Sequence, residues 1–241
     1  MSDFTMPLVL DLDVVSLTMS LVNIASPTGE EGGLADSIQD ALAPLAHLSV
    51  ERVGTTVVAR TAEPDDAADR VLVAGHLDTV AGAPDAFAYV EMGRLVGPGA
   101  CDAKGGIAVM LKAAASPHPR NATFVFYDGA ETGRDGLTQL AESRPDLVTV
   151  DAAVVLEPTA GRVSTTEPTH PVLARLVELA DAPGPPAVPL SCSGAQALAA
   201  RGIPTAVFGP GDPRLAHSPD ELVPTAELTQ CEHVLRTWLQ G

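Results

Sequence analysis

Six residues of this 241-residue chain have the types and spacing needed to hold metal ions and use them. His76, Glu131 and Glu157 each stand at or just beyond the end of a stretch that reads as a buried β-strand: "VLVAGH", "TFVFYDGAE" and "AAVVLE". Asp102 lies in a loop just before the glycine-rich start of a helix, "GACDAKGG", and His217 lies in a loop after the last strand. Two imidazoles and three carboxylates form a mixed nitrogen and oxygen donor set that suits zinc, with cobalt or manganese also served. Five donors exceed what one tetrahedral zinc takes, but they suit two ions if one carboxylate bridges. Asp78, two residues after His76, is placed to fix the imidazole's tautomer from behind.

The elements that must position these groups follow from hydrophobic periodicity. "LDVVSLTMSLVNIAS" and "GLADSIQDALAPL" have helical spacing, and "HLSVERVGTTVVART" alternates like a hairpin. "ADRVLVAGHLDTV", "ATFVFYDGAE" and "VDAAVVLEPT" are nearly continuous apolar runs, as expected of strands buried on both faces. "GGIAVMLKAAA", "GLTQLAESR", "HPVLARLVELA" and "AELTQCEHVLRTWL" read as helices, "GAQALAARGIPTAVFGPGDP" as helix, turn, strand and loop, and "DAPGPPAVP" as a connector. The stretch "GRLVGPGACDAKGG" is expected to be a loop. Strands alternating with helices predict an α/β fold, a three-layer αβα sandwich with a mostly parallel central sheet, occupying residues 1–241 as one domain. Such folds place their chemistry at the carboxyl edge of the sheet.

Composition narrows the partners. With 14 Lys and Arg against 31 Asp and Glu, the formal charge is -17, which disfavours nucleic acid and anionic membrane. Cys101, Cys192 and Cys231 are widely spaced and form no disulfide framework, and no segment approaches a membrane span. The Met1 region has no leader pattern, so a cytoplasmic protein with a small-molecule substrate is expected.

In order along the chain, "GHLDTV", "GPGACDAKGG", "YDGAETG", "LEPTAG" and "FGPGDPRLAHSPDE" resemble the motifs of the dinuclear zinc aminoacylases and carboxypeptidases. The likeness is closest to the succinyl-diaminopimelate desuccinylases and covers nearly the whole chain. It implies that His76, Asp102 and Glu157 hold one zinc, and that Asp102 bridges to a second completed by Glu131 and His217. It also implies that Asp78 orients His76.

Departures from the family pattern carry as much information. The family places two adjacent glutamates where this chain has Ala130 and Glu131, the first being the general base. Asp128 is the nearest acid that could substitute for it. The family also inserts a lid, expected near 163–170, which carries the dimer interface, substrate recognition and an oxyanion-stabilising His. Its absence implies a monomer, and His170 matches no family motif. "SCSGAQ" replaces a Gly-Trp-Thr-Asp segment, and Ala103 replaces a Met. Small residues at Ala103, Gly129, Ala130 and Gly194 are expected to line one reshaped cavity. Cys192 reads as a buried or metal-adjacent thiol rather than a nucleophile. Lys104 reads as solvated or acid-paired, and "GPGACDAKGG" lacks the order of a phosphate loop. Two functions follow: a metal-dependent hydrolase of N-acyl amino acids or dipeptide-like amides, or a reworked metal site with another role.

Overall fold

A computed structural model describes residues 7–80, 87–133, 135–180 and 192–241. The leader reading at Met1–Met6 and the Pro-rich connector fall outside these residues. The chain opens with α1 (Val14–Val22) and α2 (Gly32–Leu42), followed by the hairpin β1 (Leu48–Val53) and β2 (Thr56–Thr61). Then come β3 (Arg70–His76), β4 (Tyr89–Glu91), β5 (Arg94–Val96), α3 (Gly105–Ala114) and β6 (Asn121–Tyr127). The next elements are α4 (Gly136–Ser143), β7 (Ala152–Val155), β8 (Ser164–Thr165) and α5 (Pro171–Ala180). α6 (Ser193–Ala200), β9 (Thr205–Val207), β10 (Leu222–Pro224) and α7 (Thr225–Leu239) complete it.

Seven strands form one sheet in the order β1-β2-β6-β3-β7-β9-β8. β6, β3, β7 and β9 run parallel, and the edges are antiparallel. Alternation along the strands divides the interior in two. Val71, Val73, Phe124, Phe126 and Val154 pack with α1, α2, α3, α5 and α7. Leu72, Ala74, Val125, Tyr127 and Val155 face the other way, onto α4 and α6. Both faces of the central strands are therefore covered, which is why their sequences read as unbroken apolar runs. The expected three-layer αβα architecture is present.

Helix starts are fixed locally. The Asp13 carboxylate accepts from the N–H groups of Val15 and Ser16, and Asp135 does the same for Leu137 and Thr138, capping α1 and α4. The stretch expected to be all loop contains β5, which pairs with β4 and β10 in a second, three-stranded antiparallel sheet. Three-residue strands carry too little periodicity to be read from sequence. β5 leads into the Asp102 loop and β10 follows the His217 loop, so this small sheet joins the two.

Candidate metal centre

Three neighbouring parallel strands deliver the first donors to one edge. β3 ends in His76, which is level with Tyr127, the last residue of β6. Beyond Tyr127 the chain turns through Gly129 at φ 75, a left-handed conformation that glycine adopts without strain, into a short 3-10 turn carrying Ala130 and Glu131. On the other side of β3, β7 ends two residues before Glu157. The β5–α3 loop brings in Asp102, and the loop after β9 brings in His217. His217 has φ 61, an uncommon conformation for a residue with a β-carbon, and one that clusters at functional sites.

The donors converge. One atom each from His76, Asp102 and Glu131 lie within 4.8 Å of one another. Asp102 Oδ1 is 2.9 Å from His76 Nε2, and Asp102 Oδ2 is 3.2 Å from His217 Nε2. His217 Nε2 is also 2.9 Å from Glu131 Oε1. Each oxygen of one carboxylate thus faces a different imidazole. Glu157 stands beside the tight three-residue group and feels the charges of His76, Asp102 and Glu131. The Cys192 thiol donates a hydrogen bond to it, and burial pushes that thiol upward, so it stays protonated.

Asp78 is placed next to His76 but works differently from the sequence expectation. Its backbone carbonyl accepts from His76 Nδ1 at 2.9 Å, while its carboxylate is 3.4 Å away. A carbonyl can only accept, so Nδ1 carries a hydrogen and Nε2 is the atom turned toward Asp102, the one available to a cation. The carboxylate instead accepts the N–H groups of Ala130 (3.1 Å) and Glu131 (3.0 Å) and the Thr28 hydroxyl (3.1 Å). It fixes the turn that carries Glu131.

The donor set fits divalent cations, since acceptor-only carboxylates are crowded against imidazoles with no Lys or Arg in the group among the described residues. Without a cation the crowding shows in the ionisation of the groups. Burial raises Glu157 to about 7, with Asp102 and Glu131 adding to the rise. Burial by itself would lower His76, but the hydrogen bonds to Asp102 and Asp78 outweigh it and hold the imidazolium well above its usual range. Asp102 is desolvated, yet His76 pulls it below the usual carboxylate range.

These shifts give the metal-free protein a pH signature. A raised Glu157 stabilises the fold below its ordinary value of 4.5 and loses that contribution as pH rises towards about 7. The raised His76 acts in the same direction, its contribution fading as pH climbs through its elevated folded value. Asp102 and Asp78 act oppositely, but only as pH falls towards 3.8 and below. The melting temperature of chelator-treated protein should therefore fall between about pH 5 and about pH 7, and zinc should reverse the trend because its ligands must be deprotonated. A thermal-shift series with and without zinc checks this. A metal-free melting temperature that climbs across the range would contradict it.

Other residues singled out by the sequence sit elsewhere. Asp128 accepts from the Thr56 hydroxyl at 2.9 Å and lines a cavity of about 180 Å³ with Gly54, Thr56, Gly136 and Gln139. Lys104 is not solvated, and no carboxylate among the described residues lies within ion-pair distance of it, although the Glu221 charge acts on it. It is buried, its Nζ donates to the Ile24 carbonyl at 2.6 Å, and burial lowers it to about 8. His170 lies at the start of α5, where its carbonyl accepts from Ala174. Gly194, one of the small residues expected to line a shared cavity, does not open space. A Cβ on Gly194 would lie 3.0 Å from Leu137 and 3.2 Å from the Tyr127 hydroxyl, so that glycine permits close packing of α6. Gly129 serves its turn. Sequence reading passed over Glu221, although it ends the "FGPGDPRLAHSPDE" motif. It is buried, and its carboxylate accepts three backbone N–H groups of the Asp102 loop.

The model of peptidase family M20/M25/M40 matches residues 72–241, a span that takes in all the candidate ligands. The chain belongs to this family. Among curated members, a succinyl-diaminopimelate desuccinylase of Corynebacterium glutamicum is 37% identical over 158 residues, covering 62% of this chain and 42% of that protein. A DapE-type protein of Mycobacterium tuberculosis is 38% identical over 154 residues, covering 62% and 43%. The matched region is thus less than half the length of these relatives. Among solved structures, the tripeptidase SAV1512 of Staphylococcus aureus superposes with a TM-score of 0.74 at 13% identity, covering 94% of this chain and 97% of that one. That likeness establishes the fold of an M20-family catalytic domain. No helix among the described residues is long and apolar enough to cross a membrane.

Proposed function

We propose that this protein is a metal-dependent amide hydrolase with two divalent ions, preferentially zinc, acting on an N-acyl amino acid or dipeptide-like substrate. The observation that carries the reading is the Asp102 carboxylate, whose two oxygens face His76 and His217 separately. His76, Asp102 and Glu157 would hold one ion; Asp102, Glu131 and His217 would hold the other. Bound ions would supply Lewis-acid polarisation and make water a better nucleophile near neutral pH. The chain's own residues position them: the Asp78 carbonyl fixes the His76 tautomer, and its carboxylate fixes the Glu131 turn.

The reading includes a missing proton carrier. Ala130 offers none, and the Asp128 carboxylate is engaged by Thr56 on the side of α4, so it is a poor replacement. Between Glu157 and α5 lie short turns and the two-residue β8, which pairs at the edge of the main sheet, and this supports the reading that the family's lid is missing. Slow amide turnover and a monomeric state are both expected, the latter checked by light scattering at micromolar concentration.

The test is elemental analysis of metal-loaded protein together with a screen of N-acyl amino acids, with and without chelator. Two ions per chain and slow, chelator-sensitive amide cleavage are expected; one ion or none defeats the dinuclear reading. Full metal occupancy with no cleavage, even after a base is restored, would favour the reworked-site alternative.

A further inference from the structure

We propose that Glu221 is a positioning residue that holds the Asp102 loop and the His217 loop in register with each other. The inference rests on the metal reading above and extends it to a residue outside the ligand set. Glu221 is only 6% exposed. One carboxylate oxygen accepts the N–H groups of Cys101 and Asp102, each at 2.8 Å, and the other accepts that of Gly99 at 2.9 Å. Successive backbone N–H groups pointing into one concavity make a site for negative charge. Here the chain fills that site with its own carboxylate.

The main chain of Glu221 completes the link. Its N–H donates to the Ser218 carbonyl at 3.1 Å, closing the turn directly after His217, and its carbonyl accepts from Gly97 N–H at 3.1 Å. It immediately precedes β10, which pairs with β5, the strand leading into the Asp102 loop. One residue therefore ties the loop bearing Asp102 to the turn that directly follows His217. The Asp102 backbone is held from its N–H while its side chain spans the two imidazoles. Tethers of this kind around metal ligands typically govern affinity by about 10–100-fold.

Glutamine at 221 would keep one acceptor oxygen but turn an NH₂ group against at least one loop N–H, so it cannot satisfy all three donors. The ion that depends on both Asp102 and His217 should suffer most. Two measurements on wild type and Glu221→Gln decide the matter. In the first, hydrogen exchange of metal-free protein is followed at Gly99, Cys101 and Asp102. In the second, Co²⁺ alone is titrated by equilibrium dialysis and visible absorption. Faster exchange in the loop, a loss of about 10–100-fold in affinity for the weaker Co²⁺ and an altered absorption band for that ion support the proposal. Unchanged exchange, or faster exchange with unchanged Co²⁺ affinities and spectrum, overturns it. If Glu221→Gln does not fold, Glu221→Asp, which keeps the charge with a shorter reach, takes its place in both measurements. Wild type that takes up no Co²⁺ would defeat the metal reading separately. In that case loop exchange alone decides whether Glu221 holds Asp102: faster in the variant supports it, unchanged overturns it.

Discussion

Asp102→Ala should release both metal ions, leaving a protein that keeps none through desalting. Most ligand substitutions weaken one site, because each donor serves one ion. Asp102 differs because its two oxygens face two imidazoles, at 2.9 and 3.2 Å. On the proposed dinuclear reading, removing it would take a charged donor from both sites at once. The loss should exceed the roughly 10–100-fold typical of losing an outer partner. Glu157→Gln and His217→Gln provide the contrast, each expected to cost mainly one ion. Elemental analysis after desalting reads all three variants. A tightly held single ion in Asp102→Ala would show that the carboxylate serves one site only, and the bridging assignment would fall.

The second large effect is a gain. Ala130→Glu should raise amide turnover by about 10²-fold or more, the range that general acid–base catalysis ordinarily supplies. An amide nitrogen is a poor leaving group as an anion, so cleavage needs a group that takes a proton from the attacking water and returns it to the departing amine. An activated ester has no such need. Amide turnover should therefore rise far more than ester turnover, which separates proton transfer from a general improvement of the site. Ala130→Gln, similar in size but unable to carry the proton, should stay near the wild-type rate. On the proposed reading, in which the family's lid and its oxyanion donor are missing, the gain should stop short of a complete family member. Rapid, chelator-sensitive amide cleavage by the unmodified chain would mean that another group already serves as base, and this account of residue 130 would be wrong.

Much of this architecture is legible in the sequence because burial on both faces forces long apolar runs at β3, β6 and β7. The strands then carry their own ends, and so His76, Glu131 and Glu157, to one edge. Interactions that depend on distant loops leave no local pattern. The three-residue strands of the second sheet have no period to detect, and Glu221 is 119 residues from the Asp102 N–H it accepts. Lys104 misleads for a related reason: a lysine in a polar loop reads as solvated, yet here its stem is buried and its head finds a backbone carbonyl. Gly194 misleads because a missing side chain in sequence does not reveal whether space or a neighbour occupies its place. In the fold, Tyr127 and Leu137 occupy it.

The grip of Asp78 on the main chain at 130 and 131 has a consequence for how this protein can change. Since the turn is fastened through backbone N–H groups, the route of the chain there does not depend on which side chain residue 130 carries. Placement and chemistry are uncoupled at that position. A lineage could exchange the group that meets the substrate by a single codon change while Glu131 stays where it was, passing through intermediates that still fold and still bind metal. Residue 130 is accordingly the place to begin a library for new reactivity, because its variants can be sampled without re-laying the ligands around them.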